Sequence, residues 1–557
     1  MSSAHAMSRA NVKAKDDWTI MIFFAGDPHL SPSMTAQLKA LKDAGFQENT
    51  TVLVHYDPNE RGVGTTTFEI NRERKAQIQR KGDKGTRIGD GKDPFVRNLI
   101  EDSIRGVPKS ATAVDALRTF LVNGLRYHQA EHYMIFLIGH GVIVGNDFFL
   151  PDRHPETAIT LKQLGDVLTE FKNGAKIFGG EVELIGLHSC SMSAIEVAYQ
   201  LKGAAKYLMA TEGLSFVTSW PYRQLLKKIL NTIDLADEKG TKVDVDDLVK
   251  SLQQLGLHNT KDFMFSGLSA DLCLCSLDPK KIDDLTEPIQ NLSKALKAGL
   301  KDPRGLELIT LAHLKSQSYW QETYTDLYDF CLCLERQCVE EKGEAIRDAM
   351  AAACAAVRKK LQESPNGVVV QSDFFGPLFQ YSHGLSIFFP WAQPFEDDPL
   401  SPGDDMLGRY RKYAFTTDLK TDSWLSFLME YFDETRRDSR QEEDRPAASR
   451  NGTKASATKT ATANGAFSAT GISGNGGESL EPEKTSPALA PEKTSPALAP
   501  EKTSPALGMG CTCSVKNYPM NFFLSQRASQ DPHPENGGPA PKREVTTGAS
   551  TVATQVR

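Results

Sequence analysis

The sequence predicts an α/β fold with buried parallel strands, and three observations carry that prediction. Short continuous apolar runs stop at Gly, Asp or Pro, and segments with apolar residues at helical spacing lie between them. Two of the runs lead directly into residues able to do chemistry, His140 and Cys190, fifty residues apart. A strand covered on both faces reads as an unbroken apolar run, and open α/β sheets place their sites beyond the carboxyl ends of such strands.

Taken in order, Trp18 to Ala25 suits a central strand with its exit turn at Gly26-Asp27-Pro28. Met34, Leu38, Leu41 and Ala44 predict a helix, Thr51 to Tyr56 a second strand, and Thr65 to Ile70 an edge strand or hairpin arm. Val114, Leu117, Leu121 and Leu125 place a helix over 113–127, followed by a strand at Tyr133 to Ile138. Leu161, Leu164, Leu168 and Phe171 give another helix before the strand Val182 to Leu187. Ser193-Ala-Ile-Glu196 has the form of a capping box, which predicts a helix starting at Ser191 to Ser193, just past Cys190. The second half is also too apolar for linkers at Asp262 to Leu274, Gln317 to Leu334 and His383 to Pro390. Met350 to Val357 is an Ala-rich helix and 384–389 a further strand, with pairing unassigned.

Composition bounds the folded part. Residues 1–16 read as a flexible N-terminus and 17–436 as the folded region, with a core over 17–225 and a further portion over 226–436. From 437 to 557 the chain is low in complexity, with nine-residue repeats over 482–508, and is expected to form a largely disordered tail. A net charge of -7 over 557 residues, without a long basic stripe, gives no reason to expect nucleic acid. No segment has the apolar length of a membrane span and no signal peptide is recognised at the start, so a cytoplasmic setting is expected. Nine cysteines at scattered positions do not form a disulfide framework, and free thiols are expected. The internal run Met509-Gly-Cys-Thr-Cys-Ser514 has the form of a lipidation signal but lacks the terminal glycine that chemistry needs.

The chemistry suggested by the two strand exits is that of a thiol nucleophile and its base. A cysteine attacks near neutral pH once an imidazole takes its proton, and a helix starting just after Cys190 would favour the thiolate. The N–H groups of Gly141 and Cys190 could form an oxyanion hole, and such a pair needs no cofactor for acyl transfer. His188, Glu212, Asp27 and Asp147 are the substrate-binding candidates. Cys273-Leu-Cys275 and Cys331-Leu-Cys333 have no histidine at zinc-ligand spacing and read as strand or helix faces, so no metal ligand is assigned.

These segments together resemble a known family. Asp17 to Asp27, His132 to Gly141, Ser189 to Tyr199, Trp220-Pro-Tyr222, Asp326 to Phe330 and Gly384 to Pro390 are similar to the clostripain-like cysteine peptidases, the C11 group of the caspase-like clan, over about 17 to 395. The resemblance implies a caspase/hemoglobinase-like three-layer sandwich with an extended, mostly parallel central sheet. It also implies endopeptidase activity with His140 as base and Cys190 as nucleophile. It implies further a protein or peptide substrate, cleavage after Arg or Lys, calcium in some members, and self-cleavage, for which Arg153, Lys162, Lys172 and Lys176 are candidates in the 142–181 connection. Family proteins usually carry Asp where this chain has His188, so the altered residue separates mechanism from specificity. The alternative is a catalytically silent scaffold, or an effector switched on by an unidentified partner, using the groove and tail for binding.

Overall fold

The computed structural model describes residues 15–26, 30–57, 65–70, 111–153, 156–263, 269–320, 322–340, 344–394, 405–419 and 423–443. Its strands, in chain order, are β1 Asp16–Phe24, β2 Thr50–Tyr56, β3 Thr66–Glu69, β4 Ala130–Ile138, β5 Gly141–Val142, β6 Phe148–Arg153 and β7 Glu156–Ile159. They continue as β8 Glu181–His188, β9 Tyr207–Ala210, β10 Ala270–Ser276, β11 Ser318–Tyr319, β12 Tyr324–Asp326, β13 Val369–Phe375 and β14 Ser386–Phe388.

Eight of these form one sheet in the order β13-β10-β9-β8-β4-β1-β2-β3. The five central strands run parallel, while β3 at one edge and β10 and β13 at the other are antiparallel to their neighbours. This is the α/β sandwich with a mixed, largely parallel sheet that the caspase/hemoglobinase-like class predicts. Alternation along the strands divides the core between two faces. Met21, Phe23, Tyr133, Ile135, Leu137, Ile185 and Leu187 pack on one side. Ile20, Ile22, Phe24, Met134, Phe136, Ile138 and Leu184 pack on the other. Helices Ala113–Tyr127, Leu161–Ile177, Pro279–Gly299, Leu327–Glu340 and Ala345–Gln362 cover the first face. Helices Ser31–Leu41, Tyr222–Lys239 and Val245–Phe263 contribute to the second.

Local chemistry explains the helix boundaries. Thr160 and Gln163 form a reciprocal capping box that starts Leu161–Ile177, and Thr112 accepts from Asp115 N at the start of Ala113–Tyr127. Two smaller sheets, β5-β6-β7 and β11-β12-β14, lie outside the main one. The last helix, Trp424–Glu443, continues past 436. The remaining tail, its repeats and the 509–514 run lie outside the described residues, as does Asp27. Among the described residues, no helix is long and apolar enough to cross a membrane.

Candidate active site

The carboxyl ends of β4 and β8 create the site. These adjacent parallel strands pair in register as far as Ile138 and His188, and Gly139 N reaches His188 O at 3.4 Å. His140 and Cys190 each follow two residues beyond that last pair. Both are buried, His140 at 4% exposure and Cys190 at 0%. Leu150 N donates to His140 O at 2.9 Å, fixing the backbone of the histidine turn.

Gly141 is dictated by crowding. A Cβ there would lie 2.7 Å from Phe149 Cδ2, 2.8 Å from Met192 Cε and 2.9 Å from Ser189 Oγ, so a side chain would force the two site turns apart. The Ser189 hydroxyl instead donates to Gly141 O at 3.1 Å and ties the turns together.

Around Cys190 the chain makes a tight turn. Ser191 has φ 51°, a left-handed conformation that a non-glycine residue holds only when its surroundings determine it. Those surroundings are the 211–215 loop: Ser191 N donates to Gly213 O at 2.9 Å and Ser193 N to Thr211 O at 2.8 Å. Ser215 N points at Cys190 Sγ, 3.2 Å away. Cys190 is disulfide-bonded in this structure, whereas the six other described cysteines are free, so the expectation of free thiols fails at the one cysteine where chemistry was expected. Its sulfur is available for attack only after reduction.

The helix expected at Ser191 to Ser193 begins later. It spans Ile195–Gln200, six residues, with Ala194 as N-cap and no side-chain cap. Ser193 Oγ donates to Gly384 O at 2.6 Å, and Glu196 accepts from Phe388 N at 3.0 Å and Tyr410 OH at 2.8 Å, so both halves of the supposed capping box serve long-range contacts. The N–H beside Cys190 comes from Ser215, not from a helix end.

The substrate-binding candidates do not gather in an open groove. His188 points to the opposite face from the Cys190 cluster, fully buried and stacked on Trp220 with ring centroids 4.6 Å apart. Its Nδ1 lies 2.9 Å from Tyr222 OH and its Nε2 2.7 Å from Phe216 O. Burial lowers its pKa to about 3, leaving a neutral imidazole. Glu212 is also fully buried and accepts from Gly384 N at 2.8 Å. Burial, then the neighbouring Asp326 and Asp271, push its carboxyl well above the usual range, so it presents no negative charge to a substrate. Asp147 Oδ1 accepts from Leu161 N at 3.0 Å and Tyr413 OH at 3.1 Å, which binds it to the start of Leu161–Ile177. In this structure all three positions are engaged by the fold's own groups. Of the four basic residues named for self-cleavage, Lys162, Lys172 and Lys176 lie within helix Leu161–Ile177, where cleavage would require unwinding, and Arg153 ends β6.

Sequence reasoning missed a cluster of buried acids beside the Cys190 turn. Asp271, on β10, accepts from Glu212 N at 2.6 Å and Gly213 N at 3.0 Å. Asp326 accepts from Asp329 N at 2.7 Å and His383 N at 2.5 Å. The available signal was a charged residue inside the apolar run of β10, a pattern that calls for a partner. Among the described residues, no group of three or more His, Cys, Asp or Glu is arranged to hold a metal ion.

No curated protein matches the chain. Among solved structures, a secreted C11 cysteine protease from Bacteroides thetaiotaomicron in complex with an irreversible peptide inhibitor is 12% identical, covering 75% of this chain and 99% of its own, with a TM-score of 0.45. An inactive zymogen C11 protease from Parabacteroides distasonis is 14% identical, covering 74% of this chain and 99% of its own, at 0.46. The cytoplasmic setting expected from the unrecognised signal peptide is not carried forward, because two Bacteroides thetaiotaomicron C11 proteases similar to this chain are described as secreted. A sequence profile described as the Clostripain family matches residues 44–391, well over half of the chain. The chain belongs to the clostripain family, the C11 group of cysteine peptidases.

Proposed function

We propose that the protein is a cysteine endopeptidase in which Cys190 is the nucleophile and His140 the base. The observation that carries this reading is the register of β4 and β8, whose last pair, Ile138 and His188, is followed on each chain two residues later by His140 and Cys190. In the reduced protein, His140 takes the thiol proton as sulfur attacks a peptide carbonyl. The tetrahedral intermediate collapses to a thioester as His140 returns that proton to the leaving amine. Water then attacks the thioester, giving its proton to His140, and the peptide acid and the thiol are released. The backbone N–H groups of Gly141 and Cys190 are the proposed oxyanion donors, each worth about 3 kcal/mol at the transition state. Residues 17–225 and 226–436 act together as one peptidase region.

The reading extends to specificity. A buried neutral His188 and a protonated Glu212 supply no charge for an Arg or Lys side chain, and Asp147 is tied to Leu161 N and Tyr413 OH, which supports cleavage after uncharged residues. A diverse peptide library, presented to the reduced full-length chain with and without calcium and with C190A as control, tests this. Cleavage after uncharged residues, lost in C190A and independent of calcium, is the expected result. Cleavage confined to Arg or Lys would overturn the specificity, and cleavage that persists in C190A would overturn the mechanism. A chain that cleaves nothing would favour a silent scaffold.

A further inference from the structure

We infer that Asp271 is a positioning residue for Cys190, its carboxylate holding the loop whose Ser215 N–H rests on the cysteine sulfur. This rests on Cys190 being the nucleophile. The argument is a closed ring of hydrogen bonds. Asp271 Oδ2 and Oδ1 accept from the successive amides of Glu212 and Gly213 at 2.6 and 3.0 Å. Gly213 O in turn accepts from Ser191 N at 2.9 Å, and Ser215 N reaches Cys190 Sγ at 3.2 Å. Two residues beyond Ser191, Ser193 Oγ donates to Gly384 O at 2.6 Å, and Gly384 N donates at 2.8 Å to Glu212 Oε2, which closes the circuit.

Each link has a reason in the chain. Position 213 must be glycine, because a Cβ would strike the Phe379 ring and lie 2.9 Å from Asp271 Oδ1. Asp271 is 3% exposed on a strand whose other described side chains are mostly apolar, a costly place for a carboxylate. Two amides aimed at its two oxygens offset that cost, and they belong to the loop that touches Cys190 rather than to β10 itself. An N–H held against sulfur stabilises the negative charge that develops when the thiol loses its proton. Without the carboxylate, the 212–215 loop loses the anchor that sets this N–H.

The test reads the cysteine directly and needs no turnover. The reduced full-length chain is alkylated with iodoacetamide at pH 8, where the Asp271 carboxyl, raised to about 7 by burial, is mostly ionised, and modification of the Cys190 peptide is followed by mass spectrometry in wild type, D271N, D271A and Q253A. Gln253 binds Leu272 O on the same strand at 2.6 Å and serves as the structural control. Alkylation of Cys190 is expected to slow about tenfold in D271A, the lower end of what a hydrogen bond to a charged group supplies. D271N, which keeps one acceptor, should fall between, and Q253A should match wild type even where its melting temperature drops. With a cleaved peptide, kcat should fall in D271A while KM stays within twofold. Alkylation of D271A at or above the wild-type rate, or slowed no more than Q253A, overturns the inference; if D271A does not fold, a wild-type rate in D271N does so. A wild type that alkylates normally but cleaves no peptide sinks the nucleophile reading and leaves the alkylation comparison intact.

Discussion

At the scale of single residues, the structure separates groups that can change charge from groups held in one state. His55, His188 and His313 are each lowered to about 3 by burial, so the folded chain keeps them neutral where the unfolded chain protonates them below about pH 6.5. The unfolded state then binds more protons, and these three groups cost stability as pH falls from 6.5 toward 3. Glu196 and Asp271, raised to about 7 by burial, act in the opposite direction: their contribution is full below pH 4 and fades as pH rises to 7. The two sets offset each other between about pH 4 and 6.5, and the histidines dominate below. Replacing His188 by Gln isolates one of them. The variant's melting temperature should gain on wild type as pH falls from 6.5 to 4, read by calorimetry across that range. A difference that stays constant with pH would mean His188 is not held neutral.

At the scale of elements, short helix Ile195–Gln200 depends on contacts outside itself. Glu196 accepts from Phe388 N at the end of β14 and from Tyr410 OH, holding the segment after Cys190 against distant parts of the chain. Because its carboxyl is largely protonated up to about pH 7, Glu196→Gln should cost about 1 kcal/mol or less at pH 6. Glu196→Ala should cost about 3 kcal/mol by stranding two buried donors. Urea unfolding of both variants checks this, and equal losses would contradict it. The same element shows what the sequence could and could not reveal. The central strands and the helices 113–127 and 161–177 were legible because burial on two faces, or on one stripe, writes its period into neighbouring residues. The start of Ile195–Gln200 was misread because Ser193 and Glu196 have local capping chemistry but spend it on Gly384 and Phe388, almost two hundred residues away. The role of Asp271 was hidden for the same reason: its partners, Glu212 and Gly213, lie on another strand's loop.

At the scale of the whole molecule, the chain's second half completes the site. β10 and β13 extend the sheet that β1, β2, β4, β8 and β9 begin. Tyr413 OH accepts from Gly145 N at 2.8 Å and Arg409 Nε donates to Gly145 O at 2.8 Å, bracing the loop after His140. On the other side, Ser386 N donates to Ser193 O at 3.0 Å and Trp424 Nε1 to Phe388 O at 2.8 Å, bracing the turn after Cys190. The register of β4 and β8 brings the two turns side by side, and these long-range bonds hold each in shape. A working pair needs both turns in place and a reduced sulfur. The central claim is that His140 and Cys190 act as one acyl-transfer unit, and its most direct measurement is labelling of the reduced full-length chain with a peptidyl acyloxymethyl ketone bearing an uncharged P1 residue, mapped by mass spectrometry. A single adduct at Cys190 that disappears in H140A is the predicted result; no adduct at Cys190, or one formed equally in H140A, would contradict it.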